Sequence, residues 1–120
     1  NVDFDQLQGI LGTNSWTFTA PNAESVAFVD AYINAYGELP DAISASSYDA
    51  ITLIATAIGQ TGNLVTNLVT VRDVLGVQGV LNPTGFSGNE FSNNVVLVQL
   101  GSFGGSQLLA RYAGRERLPL

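Results

Sequence analysis

The sequence predicts an α/β chain in the order strand, three helices, then two or three strands. Three observations lead there. Between positions 22 and 75 apolar residues recur at three- and four-residue steps, the period of helices with one buried face. Asn94 to Leu100 is almost wholly apolar and rich in branched side chains, the composition of the best strand in the chain. Gly37, Pro40, Gly59, Gly62 and Gly76 fall between these segments, where chain breaks belong.

The elements follow in order. Leu7 to Gly12 is a short apolar run ending in Gly and reads as a buried strand; the polar and aromatic Thr13 to Ala20 reads as a loop. Pro21-Asn22 opens the first helix, with Asn22 as cap and Glu24 in the turn where the helix dipole favours an anion. Val26, Val29, Ile33 and Tyr36 recur along it at three- and four-residue steps, and Gly37 can end it in a left-handed conformation. The second helix runs from about Asp41 to Ile58, with Ile43, Ser47, Ala50 or Ile51, Ile54 and Ile58 as its apolar face. A third, from about Leu64 to Leu75, places Leu64, Leu68, Val71 and Leu75 on one side and stops at Gly76. Val77 to Leu81 then reads as extended. Asn82 to Gly85, Ser87 to Asn89 and Gly101 to Ser106 carry turn signals, and Gln107 to Tyr112 alternates weakly as a last strand.

Composition narrows the chemistry. The 120 residues are 46% hydrophobic but only 12% charged, so uncharged polar residues must supply much of the surface. Net charge is −6, with no Lys and four Arg at positions 72, 111, 115 and 117. Such a field repels nucleic acid and anionic membranes. Cys and His are both absent, which removes disulfides, thiol nucleophiles, imidazole bases and zinc sites built on nitrogen or sulfur. No Met stands at position 1, so a processed chain or a fragment is expected, with any export signal upstream. Ala50 to Val71 carries no charge, yet Gly59, Gln60, Gly62, Asn63 and Asn67 interrupt it. Two helices joined by a turn fit better than a membrane span.

Candidate chemistry is sparse. The ten carboxylates come with no His, Lys or Cys partner, and no metal-loop spacing occurs among them. Solvated helix charges explain them, Asp41 as a cap and Asp49 within the second helix included; no catalytic residue, metal or cofactor is assigned. Gly101 to Ser106 lacks a phosphate-binding pattern and reads as a turn. Trp16 and Phe18 read as aromatic plugs holding a loop on a core, with stacking on a ligand as the alternative. Tyr48 reads as a packed helix residue.

A longer pattern joins these pieces: Phe28, Tyr32, Tyr36-Gly37, Pro40, Ala42, then Tyr48-Asp49-Ala50 and Ala57-Ile58, preceded by Gln8-Gly9-Ile10-Leu11-Gly12. Over roughly residues 7–112 this order and spacing resembles the solute-binding proteins of branched-chain amino-acid ABC transporters. The resemblance implies a partial type I periplasmic-binding-protein architecture, three helices followed by strands. Residues 1–120 would be a C-terminal fragment of a two-lobed protein. The strand at 7–12 and the strands from 94 would lie in one lobe, and the helices of about 22–76 in the other. It further implies an exported, periplasmic or extracellular protein, free or anchored by lipid through a missing N-terminus, that captures a small polar molecule (an amino acid, an amide or a relative) by lobe closure. The molecule would pass to a membrane ABC permease without a chemical step. Carried over by position, the family's ligand-binding residues fall on Gln8, Gly9 and Ile43. Gln8 stands where the family has an acid that holds an ammonium; an amide offers only ordinary hydrogen bonds there. A fragment lacking part of each sheet would expose strand edges and tend to self-associate. A ligand-sensing domain of a signalling receptor on the same fold is the alternative, and a carboxylate-based hydrolase the remote one.

Overall fold

The computed structural model describes residues 3–84, 90–91, 94–101 and 105–120. Its helices begin where side chains or backbone supply an end. α1 (Ala23–Tyr36) follows Asn22 in extended conformation and ends at Gly37, whose φ of 75° is the left-handed state that glycine adopts without strain. Asn22 sits at the cap position, but its side chain makes no cap bond and donates instead to Val77 O at 3.2 Å. α2 (Ala42–Ile58) is capped by Asp41, which accepts from Ser44 N at 2.7 Å. α3 (Leu64–Thr70) is capped by Asn63, which accepts from Val65 N at 2.9 Å.

The principal sheet is antiparallel and four-stranded, in the order β1 (Leu11–Asn14), β6 (Asn94–Leu100), β7 (Ser106–Ala113), β8 (Glu116–Leu118). Leu11 faces Gln99 across the first pair and Asn94 faces Ala113 across the second. The register slips between Leu97 and Val98, where Leu109 is left without an opposite residue as in a β-bulge. Between helices and sheet lie two small hairpins, β2 (Val74–Gly76) with β3 (Gly79–Leu81) and β4 (Pro83–Thr84) with β5 (Glu90–Phe91). The turn signals at 85–89 and within 102–104 fall outside the described residues.

Four expectations are corrected. Strand 7–12 is displaced: Phe4–Leu7 is a 3-10 turn, Gln8-Gly9 a turn with Gly9 at φ 86°, and pairing starts only at Leu11. Among the described residues that strand is an exposed edge, pairing on one side, with β6. The third helix stops at Thr70, and Val74–Leu81 folds back on itself as a hairpin through a Val77-Gln78 turn. In α2 the inward face is Ala45, Asp49, Leu53 and Ala57, one row at four-residue spacing, while Ile43, Ile51, Ile54 and Ile58 point outward. Small Ala side chains let the helix lie close on its neighbours, and that proximity outweighs the larger transfer energy of Ile. Asp49 is thus buried and not a solvated helix charge.

Two apolar clusters hold the helices and the β2–β3 hairpin together. Trp16, Ala20, Phe28, Ala45 and Val77 form one, and Leu53, Val71, Val74 and Leu81 the other. The sheet meets this body mainly through polar ties. Arg111 Nη2 donates to Asn22 Oδ1 at 3.2 Å, and Asn94 Nδ2 donates to Gln78 O. The radius of gyration is 16.1 Å, whereas a compact 120-residue domain has about 13.6 Å. The chain is therefore extended, with sheet and helical body side by side rather than stacked. No helix among the described residues is long and apolar enough to cross a membrane.

Candidate functional site

Where sheet and helical body meet there is a cleft of about 260 Å³, near the lower limit for a small-molecule site. The sheet supplies Asn14 at the end of β1, Val98 of β6 and Ser106 of β7; the loops supply Trp16, Thr17, Phe18 and Pro40 to Ala42. Trp16 is fixed rather than free to stack on a ligand. Its ring packs edge-on to Phe28 at 5.9 Å, and its Nε1 donates to the buried Ser25 Oγ at 2.9 Å. The aromatic-plug expectation therefore holds for Trp16. Phe18, by contrast, keeps a partly exposed ring on the cleft wall.

Asp41 provides the cleft's carboxylate. Its pKa is lowered, first by the backbone N–H of Ser44 and then by the Ser44 hydroxyl, both donating to the charged form. It is an anion at neutral pH, with one oxygen committed to the helix cap. The arrangement offers an apolar ring, amide and hydroxyl groups and one negative charge. That suits holding a small polar molecule; acid–base chemistry of the glycosidase kind needs two carboxylates flanking one point. Of the described cavities none is lined by two carboxylates, and among the described residues no group of three or more His, Cys, Asp or Glu could hold a metal.

The residues carried over from the resemblance lie at separate points. Gln8 and Gly9 form the exposed turn before β1; Gly9 N donates to Leu100 O at 2.7 Å and Gly9 O accepts from Gln99 Nε2 at 3.2 Å. Ile43 lies one residue beyond Asp41-Ala42, but its side chain lines a different cavity, an open groove of about 570 Å³ between α1 and α2. That groove is aromatic. Phe28, Tyr32 and Tyr36 follow one another at four-residue spacing, with Tyr32 and Tyr36 centroids 4.6 Å apart, and Tyr48 lies 5.1 Å from Phe28. Tyr48, expected as a packed helix residue, is more than half exposed on the groove wall. Neither Gln8 nor Gly9 lines a described cavity.

Asp49 shapes the site from behind. Its Oδ1 accepts from Val77 N at 2.6 Å, and its Oδ2 from Gln78 N at 3.0 Å and Gln78 Nε2 at 3.2 Å. The carboxylate thus fastens the middle of α2 to the hairpin turn, whose Val77 and Gln78 carbonyls accept from Asn22 and Asn94. Tyr-Asp-Ala drew attention in the sequence only through resemblance. A buried acid is not distinguishable from a solvated one when its donors lie twenty-eight positions away.

No protein-family model and no curated protein sequence matches the chain. Solved structures do match. The leucine-binding protein LivK of Thermotoga maritima superposes with a TM-score of 0.75 at 24% identity, over 90% of this chain and 32% of that one. A solute-binding protein of an R. palustris ABC transporter, in complex with benzoate, gives 0.74 at 20% identity, over 93% and 31%. LivJ of Streptococcus pneumoniae, in complex with isoleucine, gives 0.72 at 22% identity, over 88% and 32%. The chain has the type I periplasmic-binding-protein fold in part, and spans about a third of the length of the structures it matches.

Proposed function

We propose that the chain is part of the extracytoplasmic solute-binding component of an ABC transporter and contributes pieces of both lobes of a receptor that closes on a small polar molecule. The observation that carries this is the superposition of 88–93% of the chain on such proteins at TM-scores of 0.72–0.75. In this reading the sheet of β1 and β6–β8 belongs to one lobe and the α1–α3 body to the other. The cleft between them, with Asn14, Phe18 and Asp41 on its walls, is one part of the ligand site. Gln8, Gly9 and Ile43 are the positions at which the remaining walls would approach the ligand.

The polar ties favour such a mechanism. Closure needs two rigid parts joined by contacts that tolerate rotation. Here the apolar clusters lie within the helical body, while hydrogen bonds from Arg111 and Asn94 span the joint. The ligand would leave to a membrane permease unchanged. The neighbours' ligands, isoleucine and benzoate, share a carboxylate, and only isoleucine carries an ammonium. A neutral amide at Gln8 suits a ligand whose recognition does not depend on an ammonium.

Thermal-shift screening of the receptor that contains this chain, against amino acids, amides and aromatic acids, tests the proposal. At least one compound should raise the melting temperature saturably, because a ligand that binds only the folded state stabilises it by mass action. A folded receptor indifferent to the whole panel would defeat the solute-binding reading.

A further inference from the structure

The cleft between sheet and helical body is lined by one charged side chain, and its charge is negative. Asp41 Oδ1 takes both Ser44 bonds, from N at 2.7 Å and from Oγ at 2.7 Å. Its Oδ2 has no partner among the described residues and is open to a donor. None of the four Arg lines the cleft. The opposite wall brings donors. Asn14 Oδ1 accepts from Ser15 N at 2.8 Å, which sets the orientation of the amide and leaves Nδ2 without a partner among the described residues. Ser106, half-buried on the same sheet, adds a hydroxyl, and Phe18 an apolar ring.

These groups sort the end groups of a ligand. A carboxylate brings acceptors only and meets Asp41 as a like charge, with no cation beside it. The N-terminal dipole of α2 gives it no refuge, because Asp41 already occupies that place as the cap. An ammonium can pair with Asp41 but has no acceptor for Asn14 and Ser106. A carboxamide has both: its NH₂ group suits Asp41 Oδ2, and its carbonyl oxygen suits the donors of the sheet. We propose that the cleft receives a carboxamide end of the ligand and that Asp41 is the residue selecting amide against acid. The proposal rests on the solute-binding reading and names a ligand class for it. At about 260 Å³ the cleft has room for one end of a ligand and leaves the remainder to other walls.

Calorimetric titration of the receptor that contains this chain tests the proposal at neutral pH with three matched pairs: glutamine and glutamate, asparagine and aspartate, benzamide and benzoate. In at least one pair the amide should bind about tenfold or more tighter than its acid. Asp41→Asn removes the charge and keeps a capping oxygen, and should shrink that preference below about threefold. Should this variant fold poorly, Asp41→Ser, which also caps, makes the same test. Asp30→Asn removes an equal charge from α1, outside the cleft, and should leave the preference intact. Acids bound as tightly as their amides would overturn the proposal. So would a preference that survives both Asp41 variants, or one that Asp30→Asn abolishes. A receptor that responds to other compounds of the thermal-shift panel but to none of these pairs would also overturn it, with the solute-binding reading left standing. A folded receptor indifferent to every compound would defeat both.

Discussion

Replacing Asp49 with Ala removes the acceptor that joins α2 to the β2–β3 turn. Val77 is almost completely buried, so its N–H loses its partner with no water to replace it. An orphaned buried donor costs about 1–3 kcal/mol. The two Gln78 donors are half-buried and regain part of their bonding from solvent, at roughly 0.5–1 kcal/mol each. Relief of the buried carboxylate's desolvation offsets some of this. The net loss is then about 3 kcal/mol, out of about 6–18 kcal/mol expected for 120 residues. With a urea slope of about 1.5 kcal/mol per molar, the unfolding midpoint falls by about 2 M. Asp49→Asn should lie between wild type and Ala, because its amide oxygen can keep Val77 while its NH₂ group opposes the Gln78 N–H. Urea titration followed by circular dichroism measures all three proteins. A midpoint for Asp49→Ala within about 0.3 M of wild type would refute the clamp, as would an Asn variant less stable than Ala.

Other substitutions probe the same joint and its surroundings. Gly76→Ala would place a Cβ 2.6 Å from Leu81 Cδ1 and 2.7 Å from Asp49 Oδ1, so it should destabilise by about 1–3 kcal/mol in the same titration. Trp16→Phe keeps the ring in its cluster but leaves the buried Ser25 hydroxyl without its donor; a loss of about 1–2 kcal/mol in thermal melts is expected. Asp41 has its pKa lowered in the folded state by the Ser44 N–H and hydroxyl. Its cap therefore stabilises the fold above the ordinary Asp range and fades as pH falls through the lowered value. Asp41→Asn should flatten the acid limb of stability against pH, and an unchanged limb would dismiss that contribution.

Much of the helical layout was legible because its punctuation is local. Asn22, Gly37, Asp41 and Gly59 bracket α1 and α2 within a residue of the sequence-based bounds, and Asn94 to Leu100 is a strand as its composition predicts. The misses come from interactions distant in sequence. Leu64 to Leu75 has helical period, yet Val74 to Leu81 pairs as a hairpin after Asp73 takes a positive φ of 54°. Val and Thr, frequent around Thr66 to Val71, give weak helix propensity, so tertiary pairing decides the end. The Gln8-Gly9 segment turns because Gly9 takes φ 86°, and its apolar neighbours gave no sign of that. For α2, weighting large side chains selected the Ile stripe, although the row Ala45, Asp49, Leu53, Ala57 faces the hairpin. Of the cleft, Phe18 and Asp41 are legible only singly, as a loop aromatic and a cap. Their convergence with Asn14, Val98 and Ser106 depends on sheet pairing that no local signal encodes.

Calorimetric titration tests the central claim most directly when the 120-residue chain and the receptor containing it are compared with one ligand found by thermal shift. The two-lobe account predicts saturable one-to-one binding by the receptor, weakened at least tenfold by Gln8→Leu, and no binding by the 120-residue chain alone, because each wall of the site is incomplete. Saturable binding of equal affinity by the 120-residue chain would contradict it. A receptor whose affinity ignores Gln8→Leu would instead remove that residue from the site.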